Sequence, residues 1–144
     1  MKQTRIKRLA LVAIIPALLG LSSVSQAETR KVVIQVSSAD KGVQKLAINN
    51  AVNVQKALGM DNVVVEVVAY GPGLSILTAK SKQAPRISSL ATQGVKFSAC
   101  GNTIKAVTRK KGKAPVLAKG VNVVPAGVIR IMDLQEQGYS YIKP

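Results

Sequence analysis

The chain has 144 residues, a length for one domain, and sets 21 Lys and Arg against 6 Asp and Glu, a formal charge of +15. It contains no His, which excludes Ser-His-Asp triads, Cys-His dyads and imidazole metal sites, and its one Cys excludes an intramolecular disulfide or a Cys-rich zinc site. Six scattered carboxylates leave little for a metal cage or a two-carboxylate hydrolase, so neither a metal nor a cofactor is expected.

Met1–Ala27 reads as a secretory signal peptide. Lys2, Arg5, Lys7 and Arg8 make a basic start with no acidic residue, and a mostly apolar run from Leu9 to Leu21 follows. That run falls short of the roughly 20 residues needed to span a bilayer, and Pro16 and Gly20 interrupt it, so no stable membrane insertion is expected. Ser25 and Ala27 occupy the two positions a signal peptidase reads, which predicts cleavage after Ala27 and a periplasmic or secreted product. Cleavage removes four basic side chains and no acidic one, so the remainder stays basic. Its aromatics are Tyr70, Phe97, Tyr139 and Tyr141, too few and too scattered for a base-stacking platform. No nucleic-acid partner is expected.

Beyond the leader, valine-rich runs alternate with helical periodicity. Residues 31–36 (KVVIQV) form a β-branched run fit for a strand covered on both faces. Over 40–58, Val43, Ala47, Ala51, Val54 and Leu58 recur at spacings of three and four, with Gly59 as the stop, which predicts a helix of about five turns. Residues 63–70 (VVVEVVAY) are the second strand, central by composition, and run into the tight loop Gly71-Pro72-Gly73. Short helices are predicted over 74–79 and 85–92, the second with Pro85 in its first turn and Gly94 after it. A third strand over 95–99 stops at Cys100-Gly101-Asn102-Thr103, a helix covers 103–109, and Lys110-Lys111-Gly112-Lys113 makes a basic turn. A fourth strand over 121–124 closes at Pro125-Ala126-Gly127, a helix covers 128–137, and 139–142 supplies a fifth, short strand. This βαβαβαβαβ order with short connections predicts one α/β domain, a mainly parallel five-stranded sheet with helices on both faces.

Ligands of open α/β sheets bind beyond the carboxyl ends of the strands. Cys100 is the one strong nucleophile there, placed between a strand and a helix whose first-turn amides can face its sulfur. A thiol of pKa about 8.5 is about 3% thiolate at pH 7, whereas a pKa of about 6.5 gives roughly 75%. With no His, that lowering falls to the amides of Gly101, Asn102 and Thr103 and to cations such as Lys96, Lys105 or Arg109. An inert, buried Cys is the alternative, since free Cys is among the most buried residue types. Lys105 and Arg109 belong to a basic cluster that either attracts anionic sulfur species or is simply a solvated helix face. Tyr70, Gly71, Pro72, Gly73 and Gln135 are candidate cleft residues, with turn or surface roles as the alternative.

The strings 68–73 (VAYGPG), 94–103 (GVKFSACGNT), 124–128 (VPAGV) and 134–139 (LQEQGY) resemble the DsrE/DsrF-like family over about residues 31–144, nearly everything after the leader. The resemblance implies a compact three-layer α/β/α sandwich, homo-oligomers (trimers or hexamers) and, from the sulfur-relay members, a persulfide carried on the cysteine after the third strand. Cys100 occupies that place. The reading that follows is an exported sulfur carrier or sulfurtransferase that takes sulfane sulfur onto Cys100 and passes it to a partner thiol. With no second Cys in the chain, delivery is intermolecular, and a donor and an acceptor protein are the expected partners. The rival readings are a non-catalytic, exported oligomeric binding module in which Cys100 is structural, and a redox-sensitive thiol that forms an intermolecular disulfide.

Overall fold

The computed structural model describes residues 28–144; the predicted signal peptide lies outside the described residues. Five strands, β1 (Arg30–Val36), β2 (Val63–Ala69), β3 (Lys96–Cys100), β4 (Val121–Val124) and β5 (Ser140–Ile142), form one sheet of order β4-β3-β2-β1-β5. Every pairing is parallel, so the sheet expected to be mainly parallel is wholly so. Four helices connect them: α1 (Lys41–Leu58), α2 (Ala84–Thr92), α3 (Gly101–Lys111) and α4 (Gly127–Glu136).

Strand order decides which face each helix covers. From β1 to β4 the chain steps in one direction across the sheet, and right-handed crossovers place α1, α2 and α3 on one face. From β4 the chain returns across the whole sheet to β5, so the same handedness puts α4 on the opposite face. The side-chain alternation agrees. Val32, Ile34, Val65, Val67, Phe97 and Ala99 point into the larger core, where Ala47, Ile48 and Ala51 of α1 and Ile87 and Leu90 of α2 are buried. Val33 and Val68 point the other way, onto Ile131 and Leu134 of α4, with Tyr70 and Tyr139 packed at the edge.

Several boundaries shift by a residue or two, and α3 runs on through Lys110 and Lys111 of the expected basic turn; two differences matter at the carboxyl end of the sheet. The segment after β2 is a 3-10 stretch, Gly71–Leu77, rather than a helix over 74–79. Pro72 starts it, and Gly73 lies so close to β1 that an added Cβ would stand 2.1 Å from the Val36 carbonyl oxygen. The helix expected over 103–109 begins two residues earlier, directly after β3, so no loop separates strand from helix. Gly101 permits this: its Cα hydrogens face the carbonyls of Val124 and Pro125, where a Cβ would sit 3.1 and 3.3 Å from the two oxygens.

Sheet and α4 are joined by an ion pair between a buried carboxylate and a half-buried guanidinium. Glu66, the lone carboxylate in the valine run of β2, is 1% exposed and accepts two parallel bonds from Arg130 of α4, Nε to Oε1 at 2.8 Å and Nη2 to Oε2 at 2.7 Å. Ser98 of β3 donates a third, Oγ to Oε1 at 2.7 Å. Burial pushes the Glu66 carboxyl up, but the Arg130 and Ser98 hydrogen bonds and the charges of Arg130 and Lys96 outweigh it, and its pKa ends below the usual carboxylate value. Stability from this group is therefore full above the ordinary carboxylate range and lost as pH falls through the lowered folded-state pKa. Arg130→Ala, which leaves Glu66 buried without its cation, is expected to cost about 2–4 kcal/mol in urea unfolding at pH 7. Glu66→Gln in the same background restores part of the loss, and it flattens the acid limb of the stability curve.

Candidate functional site

The carboxyl ends of β3 and β4 form the point where the chain's connections part. The link from β3 turns to one face of the sheet as α3, and the link from β4 turns to the other as α4. Such a switch point leaves a crevice between two helix N-termini. Cys100, the last residue of β3, paired in register with Val124 at the end of β4, sits between those two N-termini.

Cys100 is the N-cap of α3, with extended backbone angles of φ −69° and ψ 116°. The resting thiol makes no close cap hydrogen bond of its own. Its surroundings nevertheless favour the ionised form. Burial, which leaves the residue 5% exposed, pushes the thiol pKa up, and it is outweighed by the Thr103 hydroxyl and by the backbone amides of Gly127, Thr103 and Asn102. The net displacement is downward, toward thiolate. The Asn102 amide is shared, since it also donates to the Pro125 carbonyl at 3.2 Å. Gly127, the first residue of α4, brings a donor from the opposite face of the sheet.

The second turn of this arrangement fixes the hydroxyl. The Gly71 amide donates to Thr103 Oγ1 at 2.9 Å, which occupies an oxygen lone pair and leaves the hydroxyl proton free for the sulfur. Gly71 reaches this orientation at φ +53°, in the left-handed region. Tyr70, which precedes it, donates its amide to the Val36 carbonyl at 3.1 Å and lays its ring beside Gly127. A Cβ at Gly127 would stand 3.1 Å from Tyr70 Cβ and 3.2 Å from Cys100 Cβ, so a larger residue would push the start of α4 away from Cys100 by a few tenths of an ångström.

The structure thus gathers Cys100, Gly101, Asn102, Thr103, Tyr70 and Gly71 in one place. Pro72 and Gly73 support that place from the 3-10 stretch: Gly73 donates its amide to the Tyr70 carbonyl at 3.1 Å. Lys105 is exposed one turn along α3. Arg109 lies in the last turn, about 12 Å along the axis from Gly101. Gln135 is exposed in the last turn of α4, also about 12 Å along its axis from Gly127. The donors on the sulfur are a hydroxyl and amides. Gly127 was legible only as part of a strand-end motif, whereas Glu66, Ser98 and Arg130, which seat α4, carried one signal: a carboxylate inside a buried valine strand requires a cation. Among the described residues no group of three or more His, Cys, Asp or Glu side chains could hold a metal ion.

The model of the DsrE/DsrF-like family matches residues 30–144. The chain belongs to the DsrE/DsrF-like family. The family is associated with sulfur relay. Among solved structures, this family member is similar to a protein of unknown function, MTH1491, from Methanobacterium thermoautotrophicum, at 36% identity and a TM-score of 0.72, covering 80% of this chain and 99% of that one. It shares its fold with the ychN protein from E. coli, at 16% identity and a TM-score of 0.61, covering 80% of this chain and 99% of that one. None of the curated proteins matches it.

Thr103→Val keeps the shape of residue 103 and removes the hydroxyl. The pH midpoint for alkylation of Cys100 by iodoacetamide is expected to move upward, and the rate at neutral pH to fall about tenfold or more, as for loss of one hydrogen bond to a charged group. Well above both midpoints the two proteins react alike. An unchanged profile contradicts the role given to Thr103.

Proposed function

We propose that this DsrE/DsrF-like protein is an exported sulfur carrier, with Cys100 as the atom that accepts and delivers sulfane sulfur. One observation carries the reading: the lone thiol of the chain lies where two helix N-termini and a fixed hydroxyl all favour its ionised form. Loading is a displacement. The Cys100 thiolate attacks the outer sulfur of a donor persulfide, R–S–SH; the donor S–S bond breaks, the new Cys100 S–S bond forms, and R–S⁻ leaves with the negative charge. Unloading reverses the roles, when an acceptor thiolate takes the outer sulfur and Cys100 departs as thiolate. No net oxidation occurs in either step.

The same donors serve both half-reactions. They lower the charge cost of the attacking thiolate in loading, and they stabilise Cys100 as the leaving group in unloading. A bound persulfide places the reactive sulfur about 2 Å beyond Sγ, which favours exchange at a site where the thiol itself is only 5% exposed. Export rests on the basic start, apolar run and Ser25-Gln26-Ala27 pattern of the leader. Among the described residues no helix is long and apolar enough to cross a membrane.

The low exposure of Cys100 also supports the second reading, a binding module in which the thiol only packs. Mass spectrometry separates the two. After incubation with a low-molecular-weight persulfide, the protein is expected to gain one sulfur atom at Cys100, to lose it to an added thiol, and to gain none as Cys100→Ser. A wild-type protein that stays unmodified removes the carrier function and leaves the packing role.

A homo-oligomer is part of the proposal. The face of the sheet under α4 is covered by that helix alone, and Val128, Ile129 and Met132 of α4 are each about half exposed, as is Tyr141 of β5. Met132→Glu is expected to shift the protein from oligomer to monomer in analytical ultracentrifugation. An unchanged sedimentation profile contradicts an interface through α4.

A further inference from the structure

On the side of the sheet away from α4, a cavity of about 500 Å³ lies between the 3-10 stretch and α3. It is of small-molecule size. Leu74, Val107, Pro115 and Val116 give it apolar walls, and Val116, at 75% exposure, is an apolar side chain held out in solvent. Its charged lining residues are Lys80, Lys111 and Lys113, with no carboxylate among the residues that line it.

The cavity is built rather than incidental. The chain that follows α3 is strapped back onto the 3-10 stretch by two backbone hydrogen bonds, Ala79 N–H to the Val116 carbonyl and Ala118 N–H to the Leu77 carbonyl, both 2.8 Å. An antiparallel bridge between Thr78 and Leu117 lies between them. The two wall hydroxyls are already committed. Ser75 donates to the Pro72 carbonyl at 3.0 Å and accepts from Gln44 Nε2 at 2.8 Å, and Thr78 donates to the Ser75 carbonyl at 2.9 Å. A sugar or another polyhydroxyl ligand would find few free partners. What remains for recognition is apolar contact on the walls and positive charge on the lysines.

We propose that this cavity binds a small organic anion: an alkyl or aryl body against Leu74, Val107 and Pro115, with one sulfate, sulfonate or carboxylate head among the three lysines. The cavity lacks Cys100 but borders its site, sharing Gly71 and Pro72 with it, so binding here does not need the thiol itself. Octyl sulfate, titrated calorimetrically below its micelle concentration, is the probe, with octan-1-ol as its uncharged counterpart. Saturable one-to-one binding of octyl sulfate is expected, at least about fivefold tighter than that of octan-1-ol. The double variant Lys111→Glu/Lys113→Glu weakens it about five- to tenfold, and so does added salt. Ala114→Trp, a change at an exposed lining position, blocks it. Cys100→Ser binds as the wild type does, which separates this result from the fate of the carrier function. Equal affinity for octyl sulfate and octan-1-ol, or binding that both variants leave intact, overturns the proposal. So does attachment to anionic phosphatidylglycerol vesicles that Ala114→Trp does not diminish, which would assign the lysines to a membrane surface.

Discussion

An ionised sulfur at the edge of a protein core is costly unless dipoles replace the water it loses. In this chain the dipoles come from two helices on opposite faces of the sheet, and their meeting at Cys100 is a consequence of strand order. Had the chain continued past β4 in the same direction, its last helix would have packed beside α3, and its first amide would have been on the wrong side of β3. The reversal that sends β5 to the far edge, beside β1, also brings Gly127 to the sulfur. Topology and thiol chemistry are one constraint here.

That constraint places demands on residues far from the sulfur. The core under α4 is small, with Val33, Val68, Ile131 and Leu134 as its buried members. So few apolar contacts leave the helix weakly seated, and the paired hydrogen bonds between Arg130 and Glu66 supply direction as well as attraction. Ser98, diagonal to Glu66 across the β2–β3 pairing, gives Oε1 a second hydrogen bond beside that of Arg130 Nε. The glycines work at shorter range. Gly73 lets the 3-10 stretch lie against β1, Gly71 turns its amide to Thr103, and Gly127 leaves no Cβ between α4 and Cys100.

Much of this was legible in the sequence because it obeys local rules. The valine runs gave β1, β2 and β4 to within a residue, the three-and-four spacing gave α1, and short connections gave the parallel sheet. Cys100 stood out because the chain has no other thiol and no His to compete with it. What remained hidden depends on contacts between distant segments. Arg130 and Glu66 are 64 positions apart, and nothing local to either shows that they meet. Lys105, Arg109 and Gln135 drew attention through charge or polarity, yet helix geometry carries Arg109 and Gln135 to the ends of α3 and α4 remote from the sulfur. First-turn amides were expected from the strand-to-helix order, but the Gly127 amide, 27 positions from Cys100, was not. The 3-10 stretch escaped for a related reason: close approach of Gly73 to Val36, a tertiary event, decided its conformation.

The central claim is that amides and a hydroxyl, with no imidazole, lower the pKa of Cys100 toward the thiolate against the effect of burial. Titration of the protein by its ultraviolet thiolate absorbance, with Cys100→Ser as the blank, reads that state directly. The account predicts a midpoint clearly below the ordinary thiol value of about 8.5. A midpoint at or above that value would mean that burial outweighs the converging helices, and would contradict the account.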